Sequence, residues 1–336
     1  MDLADAVYGT PPLVWALHAR SAQGDRLEHR PLQEICMRLP MPGRTWFACI
    51  AMVVACCAGD GAPGEPAAAA APHTVDLAAT EYRFEAPDSL PSGWTTFRLA
   101  NQGGEIHYGH IVQLAPGRTV QELVDAYAEA IRTSGPRPKW LTRFGGPGGT
   151  APGDTSSVTQ FLEPGDYVWI CPVEDETGAP HFGKGEVKRF SVYAALPETA
   201  GRAAAPAADL VLRLVDFDFT FEPALQAGRH TIRVENAGVE PHDLVLMKLA
   251  PGVTAADVRG AMNPERARRD VPAGEPPPSF ESLGAGAGGI AAIAPAMESY
   301  FEADFTPGEY VLFCMATAPD GRSHIEHGML RQVSVR

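Results

Sequence analysis

Pro164-Gly-Asp-Tyr-Val-Trp-Ile-Cys171 and Pro307-Gly-Glu-Tyr-Val-Leu-Phe-Cys314 are two versions of one segment. In each, a turn-forming Pro-Gly pair leads into aromatic and β-branched residues, the composition of a strand, and the strand ends on a cysteine. Ten positions beyond each cysteine stands a histidine, His181 or His324. Upstream, Asn101-Gln-Gly-Gly-Glu-Ile-His107 and Leu114-Ala-Pro-Gly117 match Asn236-Ala-Gly-Val-Glu-Pro-His242 and Leu249-Ala-Pro-Gly252 without a gap. Downstream, Val187-Lys-Arg-Phe-Ser-Val192 matches Leu330-Arg-Gln-Val-Ser-Val335. A single repeat at 135–143 residues is a duplicated domain and not a solenoid.

Each copy reads as a chain of short strands. Thr74–Ala79 or Asp209–Val215 opens it, followed by the alternating Tyr82-Arg-Phe84 or Phe217-Asp-Phe219-Thr-Phe221. Thr95–Leu99 or His230–Val234 comes next, then Ile111–Leu114 or Leu244–Leu249. Thr119-Val-Gln-Glu122 is a capping box, and Val120, Leu123, Val124, Tyr127 and Ile131 form one apolar stripe, so a helix follows. Thr254-Ala-Ala-Asp257 starts a weaker version of it. Gly145–Gly153 and Gly274–Pro295 read as glycine/proline-rich loops before three closing strands. About seven strands and one short helix per copy predict an all-β chain of two tandem Greek-key β-sandwich domains.

Composition agrees: 34 glycines and 31 prolines among 336 residues favour long loops, and 45% hydrophobic residues suffice for two cores. The net charge of −14 argues against nucleic acid as a partner. The first 57 residues look like an address. Arg38 and Arg44 precede the apolar run Trp46–Ala55, too short to span a bilayer but right for a signal-peptide core. Val53-Val54-Ala55-Cys56 resembles a lipobox, with Cys56 as the lipidated residue; ordinary cleavage near Ala67–Ala71 is the alternative. The expected organisation is an upstream extension and signal region at 1–57, a flexible tether at 58–73, domain 1 at 74–194, a linker at 195–207 and domain 2 at 208–336. The protein is expected outside the cytoplasm, periplasmic or at the cell surface, held at the membrane by its lipid.

Beyond the leader only Cys171 and Cys314 remain, one per domain. Exported domains normally pair their thiols, so two single ones call for another role, although a Cys171–Cys314 bridge stays open. After Cys314 come His324, His327 and Met329. Thiolate, imidazole and thioether are a soft donor set that suits copper. In domain 1, His107, Cys171 and His181 recur, but Glu186 stands where domain 2 has Met329. Glu174, Asp175 and Glu176 add negative charge to the loop between Cys171 and His181, and His110 should face away from His107 along its strand.

These features resemble the cupredoxins, the blue-copper domains of the plastocyanin and azurin type. The resemblance implies His242, Cys314, His324 and Met329 as copper ligands in domain 2, with His327 as an alternative to His324. For domain 1 it implies His107, Cys171 and His181, with Glu186 as a harder fourth donor, or else a degenerate copy that holds no metal. It implies a one-electron carrier that exchanges electrons with a partner protein such as a cytochrome or membrane complex. Two-domain copper oxidases place histidines beside the cysteine and in His-x-His pairs. Here Ile170, Pro172, Phe313 and Met315 flank the cysteines and no His-x-His occurs, so an enzyme is not expected. Copper storage or delivery, or a metal-free scaffold on the same fold, are the alternatives.

Overall fold

Every second residue of Leu210-Val-Leu-Arg-Leu-Val215 is a leucine, and all three leucines are buried while the residues between them are not. That two-residue period is what lets a strand cover a core with one face. It recurs along the chain in a computed structural model that describes residues 70–133, 135–175, 177–195, 203–262 and 280–336, all within one compact unit. The signal region, Cys56, the tether up to residue 69, Glu176 and most of the linker lie outside the described residues.

The first half runs β1 (His73–Thr80), β2 (Arg83–Glu85), β3 (Ser89–Pro91), β4 (Gly93–Asn101), β5 (His110–Leu114), α1 (Val120–Arg132), β6 (Leu141–Gly145), β7 (Thr155–Leu162), β8 (Gly165–Ile170) and β9 (Val187–Tyr193). The second runs β10 (Leu210–Val215), β11 (Asp218–Glu222), β12 (Gly228–Asn236), β13 (His242–Leu249), α2 (Ala255–Ala261), β14 (Gly284–Ile293), β15 (Glu298–Phe305), β16 (Gly308–Phe313) and β17 (Leu330–Val335). The two expected β-sandwich domains are both present. Thr119 caps α1 through a complete capping box with Glu122, and at α2 the Thr254 amide and hydroxyl both donate to Asp257. Leu123 and Tyr127 seat α1 against β5 and β8, while Val258 seats α2 against β13 and β16.

Both sheets run through both domains. One has the order β11-β10-β12-β15-β7-β4-β1-β2, the other β17-β16-β13-β14-β6-β5-β8-β9-β3. The joins are made by equivalent strands meeting antiparallel: β15 on β7 at Tyr300↔Thr159 and Phe301↔Val158, and β14 on β6 at Ile293↔Phe144. Pairing edges that would otherwise be open removes two templates for aggregation. Gln160 fixes the join from inside, donating to the Glu298 carbonyl at 3.0 Å and accepting from the Ser299 hydroxyl at 2.6 Å.

One expectation is overturned here. The Gly274–Pro295 stretch is not all loop: Gly284-Ala-Gly-Ala-Gly-Gly-Ile-Ala-Ala-Ile293 is a ten-residue strand. Glycine is needed because a Cβ on Gly284 would lie 2.2 Å from the Lys248 carbonyl oxygen, and one on Gly289 would lie 2.1 Å from that of Leu244. The register shifts of β14 against β13 are therefore bulges that bring backbone onto backbone. A residue pattern that reads as flexible in sequence is a packed interior strand here. No helix among the described residues is long and apolar enough to cross a membrane.

Candidate metal centres

Cys314 follows β16 directly, and Met329 immediately precedes β17, which pairs with β16. The Cys314 amide donates to the Met329 carbonyl at 3.2 Å, so strand pairing brings thiol and thioether residues side by side. The nine intervening residues are accommodated by a small excursion. Thr317 bridges Ser323, the Ala318 amide reaches the Arg322 carbonyl at 2.8 Å, and the His324 amide reaches the Ala316 carbonyl at 2.8 Å. The chain leaves and returns at nearly one point, which delivers His324 to Cys314 as a shorter loop would. Domain 1 builds the same excursion: Glu174 bridges Pro180, and the His181 amide meets the Val173 carbonyl at 2.8 Å.

The mid-domain histidine arrives at the start of β13. Asn236 organises the turn before it, accepting from the Gly238 amide at 3.0 Å and donating to the carbonyls of Glu240 at 2.8 Å and Ile293 at 2.9 Å. Asn101 does likewise for His107, accepting from Gly103 at 2.8 Å and donating to Glu105 at 2.7 Å and Thr150 at 2.8 Å. Gly238 must be glycine, since a Cβ there would fall 2.8 Å from His242 Nε2 and closer still to Asp216.

In domain 2 the donors converge. His324 Nδ1 lies 3.4 Å and His242 Nδ1 3.9 Å from Cys314 Sγ, and the two Nδ1 atoms are 3.0 Å apart. His242, Cys314, His324 and Met329 are all fully buried, and Cys314 and Met329 belong to one apolar cluster. This buried His/Cys/His/Met group resembles a type 1 copper site. His327 is not part of it. Its Nε2 bonds Asp320 and its ring stacks on Phe217 at 4.6 Å, while Phe217 also presents an edge to His324 at 5.3 Å. Of the two candidates, His324 is the one that faces the thiol.

In domain 1, His107, Cys171, His181 and Glu186 offer atoms all within 4.8 Å of one another, every one fully buried. Cys171 Sγ lies 3.6 Å from His181 Nδ1. Glu186 Oε2 lies 2.8 Å from His107 Nδ1 and 3.0 Å from His181 Nδ1. The Cys171 amide donates to the Glu186 carbonyl at 3.2 Å, the same bond that ties Cys314 to Met329. Glu186 therefore occupies the place of the thioether, as the alignment implies. The charge expected from Asp175 does not reach the thiol: its carboxylate binds the Thr177 and Ala179 amides and pairs with Lys184.

The outer ring of carboxylates escaped the sequence reading. His242 Nε2 bonds Asp216 Oδ1 at 3.0 Å, His324 Nε2 bonds Glu240 Oε2 at 3.0 Å, and His181 Nε2 bonds Glu105 Oε2 at 2.6 Å. A carboxylate that accepts from Nε2–H keeps the ring proton on that nitrogen and leaves the Nδ1 lone pair pointing inward. The signal was in the repeat itself, because an acid stands two residues before each mid-domain histidine. The fourth position departs from the pattern. Glu81 turns onto the Gly104 amide, and His107 Nε2 has no hydrogen-bond partner.

Burial sets the protonation of the centre. It pushes both thiols well above the usual thiol range, with Glu186 adding to the effect at Cys171 and Asp243 at Cys314. It lowers His242, and it lowers His324 to about 4 with help from the His242 charge. Backbone amides temper the thiols: Tyr108 N–H donates to Cys171 Sγ at 3.3 Å, and the nearby amides of Ala316 and Asp243 lower Cys314 in part. Both cysteines are free, so the bridge left open by the sequence is not formed. His110 is buried away from the cluster, with Nε2 unpartnered.

No protein-family model matches the chain, and no curated protein matches it either. Solved structures do. A sodium-dithionite-reduced auracyanin from the photosynthetic bacterium Roseiflexus castenholzii is 21% identical over 37% of this chain and 99% of its own, with a TM-score of 0.26. Auracyanin A of Chloroflexus aurantiacus, described as a blue copper protein, is 19% identical over 36% of this chain and 99% of its own, at a TM-score of 0.27. A copper-containing nitrite reductase from Thermus scotoductus is 14% identical over 80% of this chain and 62% of its own, at a TM-score of 0.21.

Proposed function

We propose that the protein is an exported cupredoxin-type copper protein, tethered to the membrane at Cys56, that carries single electrons through domain 2 to and from a partner redox protein. The observation that supports this most is the inward convergence of two Nδ1 atoms on Cys314 Sγ beside a buried Met329, with the opposite ring nitrogens already engaged by carboxylates. A His₂Cys set with a thioether is a soft, trigonal donor arrangement that suits copper. Copper bound there would supply a one-electron couple.

The chain's own residues do the rest. Asp216 and Glu240 hold the imidazoles in the tautomer that leaves Nδ1 free, so the donors need not reorganise when charge changes. The amides of Asp243 and Ala316 stabilise negative charge on sulfur. Phe217 and His327 roof His324 and keep bulk water off it. Burial of every donor suits a centre that exchanges electrons without admitting a substrate, which favours a carrier over an enzyme.

Addition of Cu(II) to the full-length exported protein should produce an intense blue thiolate-to-copper absorption that a one-electron reductant bleaches reversibly. Cys314→Ser should abolish it. A colourless, tight Cu(I) complex without the blue band would turn the reading towards storage or delivery. Absence of copper binding would sink it.

A further inference from the structure

Glu186 changes the charge arithmetic of domain 1. A thiolate and a carboxylate place two negative charges among donors that are fully buried, where domain 2 has the thiolate alone. A net charge in such an interior is costly, and a compensated one is not. With two anionic donors a divalent cation is neutralised and a monovalent one leaves the site negative. With one anionic donor, as in domain 2, it is the monovalent ion that is neutralised. The donor chemistry points the same way, because an oxygen donor beside two imidazoles and a thiolate hardens the set towards zinc and copper(II) and away from copper(I).

The geometry supports occupancy. Glu186 faces His107 with both oxygens: Oε2 is in hydrogen-bond contact with Nδ1, while Oε1 sits 2.8 Å from it as an ion-pair contact and accepts no hydrogen bond. A buried carboxylate oxygen that accepts no hydrogen bond is rare and calls for a donor or a cation. His181 is held from behind by Glu105 at 2.6 Å, so its Nδ1 is aimed at the same point.

From this we infer that His107, Cys171, His181 and Glu186 form a binding site for a divalent cation of the zinc and copper(II) class, which stays divalent while domain 2 passes its electron. The site itself is argued from domain 1 alone; only the contrast in redox behaviour rests on the electron-carrier reading.

The test separates the two. Full-length Cys314→Ser, which leaves the domain 1 donors in place, is titrated with Co(II). One equivalent should bind, with a near-ultraviolet thiolate-to-cobalt band and tetrahedral visible bands, and Zn(II) should displace it. Loaded instead with Cu(II), the variant should keep its paramagnetic resonance signal under ascorbate, a mild one-electron reductant that bleaches domain 2 in the wild type. Glu186→Gln, nearly isosteric and checked for an unchanged circular dichroism spectrum, should weaken Co(II) binding by more than the about 100-fold that marks loss of an outer partner. The inference is overturned if Cys314→Ser takes up no Co(II), if Glu186→Gln binds it as tightly, or if ascorbate reduces the domain 1 copper. None of these outcomes bears on the blue band of domain 2.

Discussion

The two halves hold their donors with the same backbone and differ in what one position supplies. Cys171 reaches the Glu186 carbonyl and Cys314 the Met329 carbonyl through the same bond at the same 3.2 Å. Tyr82 and Phe217 each set an aromatic edge against the loop histidine, and Lys184 lies over Tyr82 where His327 lies over Phe217. Against that constant frame, domain 1 has a carboxylate where domain 2 has a thioether, and Glu81 bonds the Gly104 amide where Asp216 bonds its histidine. The two copies share the scaffold and differ in the donor, because strand pairing fixes positions and a single side chain fixes the donor.

The sharpest way to break the comparison is to exchange the differing residues. In the double variant Glu186→Met/Met329→Glu, the blue, reducible centre should move from domain 2 to domain 1. Pairing with Cys171→Ser or Cys314→Ser assigns the absorption to its domain. If the blue band stays with Cys314 after the exchange, the fourth donor is not what separates the halves.

Next in size are the outer carboxylates. Glu240→Gln and Asp216→Asn should each cost domain 2 about 10–100-fold in copper affinity, and Glu105→Gln should cost domain 1 as much in divalent-ion affinity. Glu81→Gln should cost less than about tenfold, because its carboxylate is spent on the Gly104 amide and His107 Nε2 is left alone. Competition with a chelator of known strength measures all four. Equal losses at Glu81 and Asp216 would show that domain 1 closes on its metal in a way its present geometry does not display.

Much of this was legible in the residues, and what was not has physical causes. Thr119 and Thr254 announced their helices because a capping box is local chemistry. Cys314, His324 and Met329 were legible in order because their strands pair over short distances in sequence. The β14 strand was hidden because glycine signals conformational freedom in sequence, whereas here it signals close backbone approach to β13. The joins between domains, β6 to β14 and β7 to β15, depend on edges meeting across more than a hundred residues, and no local pattern records that. Glu105 and Glu240 lay in plain view inside the aligned repeat, but their role appears only once the loop histidine arrives from the far end of the domain.

Acid should then act on the metal-free protein through buried histidines in both domains, His324 first among those of the centres. His324 is held neutral by burial, with its value lowered to about 4 against roughly 6.5 for an unfolded histidine. Above roughly pH 6.5 both states are neutral and nothing is lost. As pH falls from there towards about 4, the unfolded chain takes up a proton that the native ring refuses, so stability declines, and the decline levels off below about 4. One such group contributes a slope of at most about 1.4 kcal/mol per pH unit. Metal-free His324→Gln should show a shallower fall than the wild type in urea unfolding followed across that window; parallel curves would count against the burial argument.

Near neutral pH the smallest effect is expected at His110, whose counterpart in the repeat is Val245. The ring is buried, Nε2 lacks a partner, and burial lowers it to about 3, offset in part by a hydrogen bond with the Ala292 backbone across the domain join. His110→Val gives up that bond but removes an orphaned polar atom, two terms of similar size, so near neutral pH the net change should stay within about 1 kcal/mol. Below roughly pH 6.5 the balance tips, because the wild type carries a group that only its unfolded form can protonate and the variant does not. Unfolding midpoints of the two proteins, measured metal-free at pH 7.5 and again near pH 4.5, should diverge in favour of the variant at the lower value. A constant gap would mean that the native ring takes up its proton as readily as the unfolded one, and that position 110 differs from position 245 in shape alone.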